Sequence, residues 1–106
     1  MPKESDLQSK ILTDLRSLGK YCVCFKIIKA SDNGVPDIFF STKLTGPILL
    51  EIKKKTGVLR KNQIIMNNKL NLCGIKSLTC YTWNEWVLIK KDINLERFDV
   101  VKPANK

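Results

Sequence analysis

Histidine is absent and acidic residues are few: 10 Asp and Glu stand against 19 Lys and Arg, a formal charge of +9 on 106 residues. With no histidine, and no C-x-x-C pair among the cysteines at 22, 24, 73 and 80, the chain matches no common zinc site. No apolar run nears the roughly 18 residues a membrane span needs. The longest lie around Pro47-Ile48-Leu49-Leu50 and Trp86-Val87-Leu88-Ile89. The N-terminus, Met1-Pro2-Lys3-Glu4-Ser5-Asp6, is charged and has no apolar stretch behind it, so a secretory signal is not expected and the chain is assigned to the cytoplasm. Internal repeats and low-complexity segments are missing, and 43% hydrophobic with 27% charged residues excludes wholesale disorder. At this length folding buries roughly 60 to 70% of the unfolded chain's surface, enough for one modest core. A single domain over 1–106 is expected, with its core over about 4–90 and a loose tail over 101–106.

What is present points to a polyanionic partner. Lys and Arg gain affinity for nucleic acid by releasing counterions condensed on its phosphates, although charge alone also fits an anionic membrane surface or a lysine-rich solvent face. The cysteines read as buried, reduced thiols, since Cys22-Val23-Cys24 lies in a strand-like run where cysteine behaves as a small hydrophobe.

Leu7, Ile11, Leu15 and Leu18 form one stripe of an amphipathic helix closed by Gly19. Its start has two readings, with Ser5 as N-cap or Pro2 at the first helical position. If the helix includes Glu4, that residue lies on the inward stripe. Tyr21 to Ile28 is rich in β-branched and aromatic residues, and Asp32-Asn33-Gly34 follows as a turn, so a hairpin is expected with Asp37 to Ser41 as its second strand. Leu44 to Pro47 makes another turn and Ile48 to Lys53 a third strand. Leu59, Met66, Leu70 and Cys73 mark a second helix ended by Gly74, with Gln63 on the same stripe. Ile75 to Thr82 is a fourth strand, reached by a helical crossover and therefore parallel to the third. Trp83 to Lys91 fits a short helix or an edge element.

Glu51 interrupts Ile48-Leu49-Leu50-Glu51-Ile52, the most apolar strand of the chain. An unpaired carboxylate there would cost several kcal/mol, so a positive partner is required. Lys53 shares its face by the period of two, and antiparallel pairing brings Asp37 alongside. Two close carboxylates repel each other, and a divalent cation resolves that repulsion better than one lysine. An oxygen-only donor set suits Mg²⁺ or Mn²⁺. The plain alternative is an exposed Glu51–Lys53 pair with Lys53-Lys54-Lys55 as a solvated strand end and Asp37 as a turn residue. Glu4 and Gln63, landing on the inward stripes of two flanking helices, favour a site.

Gly34-Val35-Pro36-Asp37, then thirteen residues, then Glu51-Ile52-Lys53, then Gln63 early in a helix, resembles the PD-(D/E)-x-K nuclease superfamily, above all its virus-type replication and repair nuclease (VRR-NUC) branch. The resemblance implies an α/β, restriction-endonuclease-like core of order α-β-β-β-α-β, a mixed central sheet flanked by helices. It implies that Asp37 and Glu51 hold the metal, with the Ile52 carbonyl as a further ligand and Glu4 reaching it through water. Lys53 would orient or deprotonate the attacking water, and Gln63 would support the lysine and the scissile phosphate. Ser31 lies where related junction resolvases place a serine, although a turn role fits it as well. Lys26, Lys29, Lys54, Lys55, Arg60 and Lys61 would form the phosphate-binding rim.

No helix-turn-helix, zinc finger or RNA-binding aromatic motif is present, so recognition is expected to rest on nucleic-acid shape. Small stand-alone members of this branch resemble archaeal Holliday junction resolvases, act as homodimers on four-way junctions and are often phage-encoded. The expected activity is Mg²⁺-dependent DNA endonucleolysis, with a nuclease of flaps, single strands or nicked duplex, or a non-catalytic DNA-binding module, as alternatives. An RNA-processing endonuclease of similar fold would centre on histidine, which is lacking. Trp83, Trp86 and Phe98 read as core residues or, failing that, as the apolar part of a dimer contact.

Overall fold

The computed structural model describes residues 4–28, 34–53 and 58–95, with side chains of the first helix from Asp6 onward. The elements run α1 (Glu4–Arg16), a 3-10 turn (Gly19–Tyr21), β1 (Cys22–Lys26), β2 (Ile38–Thr42), β3 (Gly46–Ile52), α2 (Lys61–Leu72), β4 (Lys76–Cys80) and α3 (Trp83–Asp92). The four strands form one sheet in the order β1-β2-β3-β4. β1 and β2, and β2 and β3, pair antiparallel, whereas β3 and β4 are parallel, as a helical crossover requires. This is the mixed α/β architecture the sequence implies, with α3 added after β4.

The core lies between the sheet and α1. Leu7, Ile11, Leu15 and Leu18 are all buried, together with Leu12, against Ile38, Phe40, Ile48, Leu50, Ile52 and Cys80. α1 begins at Glu4, which sets Ser5 aside as the N-cap, and it stops at Arg16, two residues before the end of its apolar stripe. Leu18 stays in the core through the turn that Gly19 opens at φ +59°. Trp86 from α3 closes this layer, edge-on to Phe40 at 5.8 Å between ring centroids. Its indole N–H donates to Asp14 Oδ2 at 2.8 Å, and Lys90 Nζ reaches the same oxygen at 2.8 Å. Trp86 is therefore a core residue, whereas Trp83 is partly exposed and Phe98 lies outside the described residues.

α3 is a helix for local reasons. Thr82 caps it by accepting from the Glu85 N–H, and the Glu85 carboxylate reaches back to the Tyr81 N–H at 3.1 Å. Both α2 and α3 end in paired six-to-one and five-to-two hydrogen bonds, through Gly74 and Asn94 at positive φ.

Several expected boundaries move. The strand expected to reach Ile28 ends at Lys26, and Ile28 is exposed. Gly46 and Pro47 belong to β3 rather than to the turn before it, because the turn is closed earlier by reciprocal hydrogen bonds between Thr42 and Thr45. Asp37 sits in the bend before β2 and Lys53 just after β3. The largest departure is α2, which buries no residue. Cys73 is exposed instead of buried, because the helix meets β4 through amides: Asn67 Oδ1 accepts from the Ser77 hydroxyl and Asn71 Oδ1 from the Ser77 N–H. The other thiols fit expectation better, Cys80 being buried and Cys22 and Cys24 half-buried, with all four reduced. Burial pushes the Cys22 thiol up to about 12 and that of Cys80 to about 11.

Candidate active site

Asp37 is held by three hydrogen bonds at the point where β1, β2 and β3 come together. Its N–H donates to the Leu50 carbonyl at 3.1 Å, its own carbonyl accepts from the Ile27 N–H at 2.6 Å, and Oδ2 accepts from the Ile52 N–H at 2.9 Å. The preceding Pro36 is fully buried, so the bend that aims this carboxylate is fixed from both sides. The last contact ties the aspartate directly to the Glu51-Ile52-Lys53 segment.

Glu51 lies between Leu50 and Ile52, both buried against α1, so strand alternation turns it to the opposite face of the sheet with Leu49. It is only 4% exposed. The β2–β3 register pairs Ile38 with Leu50, and its continuation sets Asp37 against Glu51. In an extended strand the N–H and C=O of one residue leave the same edge. The Ile52 carbonyl thus faces the Asp37 side, while the Lys53 N–H goes the other way, to the Cys80 carbonyl of β4 at 3.0 Å. Lys53 is half-buried, and alternation gives it the face of Glu51.

The start of α2, which carries Gln63, packs against the loop before Asp37 through Gly34. Gly34 has φ +84°, and a Cβ placed on it would lie 2.4 Å from the Asn62 carbonyl oxygen and 3.0 Å from the Gln63 nitrogen. The glycine lets the first turn of α2 rest against the loop that leads into Asp37. Gln63 also has a local task that the sequence reading did not assign, since its Oε1 accepts from the Arg60 N–H at 2.8 Å and caps α2.

Glu4 is the first residue of α1, and its side chain lies outside the described set. Of the expected rim, Lys26, Arg60 and Lys61 are exposed at the end of β1 and the start of α2, whereas Lys29, Lys54, Lys55 and Ser31 lie outside the described residues. Among the described residues no cluster of three or more His, Cys, Asp or Glu side chains could hold a metal. The donor set is instead two carboxylates and one main-chain carbonyl, all oxygen. A carboxylate offers about four lone-pair positions, so Asp37 can accept from Ile52 and still bind a cation. These residues fit a hard divalent ion such as Mg²⁺ or Mn²⁺.

The sequence reading passed over the neighbours of this site. Phe25, Phe39 and Leu49 share the register row next to Asp37 and Glu51, on the same face. Their odd numbering with Asp37 was the available signal.

No family model matches the chain, and neither does any of the curated proteins. Among solved structures, one titled "VRR_NUC domain" superposes with a TM-score of 0.67, covering 92% of this chain and 99% of that one at 15% identity. This chain has the fold of a VRR_NUC domain. No helix among the described residues is long and apolar enough to cross a membrane.

Proposed function

We propose that this chain is a divalent-metal-dependent DNA endonuclease that selects four-way junctions and works as a homodimer. The observation that carries the reading is the Asp37 carboxylate latched by the Ile52 N–H beside the buried Glu51. Two acids set side by side, Glu51 buried and Asp37 half-buried, repel each other, and a divalent cation relieves that repulsion. The VRR_NUC fold and the charge of +9 support the same reading.

Asp37, Glu51 and the Ile52 carbonyl would hold the ion, with Glu4 reaching it through water. A cation bound there supplies Lewis acidity toward a phosphodiester oxygen and toward water. Lys53 would orient the attacking water, take up its proton or stabilise the negative charge that develops on the phosphoryl oxygens. Gln63, set against the Asp37 loop by Gly34, offers its amide donors to the phosphate. Lys26, Arg60 and Lys61, with Lys29, Lys54 and Lys55, contact backbone phosphates and set affinity without reading sequence.

The test is a gel assay on a labelled four-way junction and a matched linear duplex with Mg²⁺, Mn²⁺ or EDTA. Paired metal-dependent cuts in the junction alone are expected. Equal cutting of both substrates would remove junction selectivity, and binding without cutting in either metal would make the chain a non-catalytic DNA-binding module.

A further inference from the structure

The sheet face that carries the two carboxylates is only half covered. Its rows follow from the strand register: Val23, Ser41 and Pro47 in one, then Phe25, Phe39, Leu49 and Ser77, then Asp37, Glu51 and Thr79. α2 lies along the β4 end of these rows through its contacts with Ser77. The β1 end is bare. Phe25 is 48% exposed and Val23 60%, although both lie within a strand. The rings of Phe25 and Phe39 are stacked, 5.0 Å between centroids with an interplanar angle of 24°. Phe39 follows Asp37 by two residues, about 7 Å along the strand at roughly 3.3 Å per residue.

We propose that Phe25, backed by Phe39, is a stacking platform for one unpaired base of the DNA strand whose phosphodiester lies at Asp37 and Glu51. The inference rests on the proposed nuclease reading and names its substrate class: DNA with an unpaired nucleotide beside the scissile bond, as at an opened branch point or a flap. Three observations favour a base as the occupant. The half-exposed ring already lies in a stacked pair, and a base extends such a stack whatever its identity. The aromatic row adjoins the carboxylate row, two residues along the strand, so both lie within reach of one bound DNA strand. Lys26, exposed and next to Phe25 in the chain, adds to a charge of +9 that attracts a phosphate backbone.

Phe25→Ala, Phe25→Leu and Phe25→Trp test the platform. Because Phe25 is half-exposed, circular dichroism is expected to show all three folded. The probe is a forked duplex with 2-aminopurine at its first unpaired position, bound in metal-free buffer, beside a blunt duplex. Wild type and Phe25→Trp are expected to quench the probe. Phe25→Ala and Phe25→Leu are expected to abolish quenching and to weaken fork binding by about 5- to 150-fold, the 1–3 kcal/mol of one base–aromatic stack, with the blunt duplex unchanged. Wild-type behaviour of Phe25→Leu, or equal weakening on both DNAs, would overturn the platform. A fall in molar mass of Phe25→Ala on sedimentation would overturn it too, in favour of an interface between copies. Cleavage is read separately: Mg²⁺-dependent cutting with no effect of Phe25 on fork binding removes only this inference. Absence of cutting by wild type removes the nuclease reading, while the binding arm still decides whether the platform exists.

Discussion

Replacing Gly34 by alanine tests whether the close approach of α2 to the Asp37 loop holds the site together. Alanine at φ +84° costs about 1–2 kcal/mol, because the left-handed region brings Cβ against the backbone. The new methyl would also lie 2.4 Å from the Asn62 carbonyl oxygen and 2.7 Å from its carbon, which are main-chain atoms in the first turn of a helix and cannot rotate aside. Forced overpacking of this kind adds about 1–3 kcal/mol. The sum, about 2–5 kcal/mol, lowers the melting temperature by about 8–20 °C at roughly 4 °C per kcal/mol. Gly19→Ala is the control: φ is +59° there, but nothing lies within 4 Å of the added carbon, so only the first cost applies. Thermal unfolding of the two variants beside wild type reads the difference. Gly34→Ala must be the less stable by at least about 1 kcal/mol, and equal stabilities would refute the tight contact between Gly34 and α2.

Asp37→Asn keeps an oxygen to accept from the Ile52 N–H, so the fold is expected to stay intact while the rise in melting temperature on adding Mg²⁺ or Mn²⁺ disappears; an unchanged rise would place the ion elsewhere. Trp86→Ala removes the fully buried ring against Phe40 and is expected to cost about 3–5 kcal/mol in a urea titration, with a loss under about 1 kcal/mol contradicting its place in the core. Timed alkylation at neutral pH followed by mass spectrometry is expected to label the exposed Cys73 well before the buried Cys80, and equal rates would contradict the packing. Cys22 also gives stability a pH dependence. Its folded pKa of about 12 lies above the ordinary 9.0, so its contribution is complete below pH 9 and is lost between pH 9 and about 12, where the unfolded chain holds fewer protons. Cys22→Ser is expected to flatten that part of the pH profile.

The pairing of Asp37 with Glu51 was legible because two local rules meet there. Period-two alternation places Glu51 opposite the buried Leu50 and Ile52, and a short turn fixes the register that carries Asp37 to it. The stripe of α1 was equally plain, every member being an aliphatic residue that the core needs. α3 was half legible. Val87, Leu88 and Ile89 suit a strand as well as a helix, and the deciding sign was the capping pair Thr82 and Glu85. α2 was the hardest to read, because Asn67 and Asn71 attach it to Ser77 and apolar periodicity carries no trace of an amide contact. The stripe of Leu59, Met66, Leu70 and Cys73 therefore pointed to full burial, whereas Leu59, Met66 and Leu70 are half-buried and Cys73 is exposed. The exposed Phe25 went unnoticed for the opposite reason: an aromatic residue in a strand reads as core until the covering layer is known to end short of it.

The central claim is that Asp37, Glu51 and Lys53 form a metal-dependent site for phosphodiester cleavage. Lys53→Ala tests it most directly, assayed against wild type on a labelled four-way junction with Mg²⁺ or with EDTA. Loss of cleavage, with junction binding kept within a few-fold, is the result this proposal predicts, since it gives Lys53 a role toward the reacting groups and leaves DNA binding to the rim cations. Cleavage by Lys53→Ala at the wild-type rate would contradict the account.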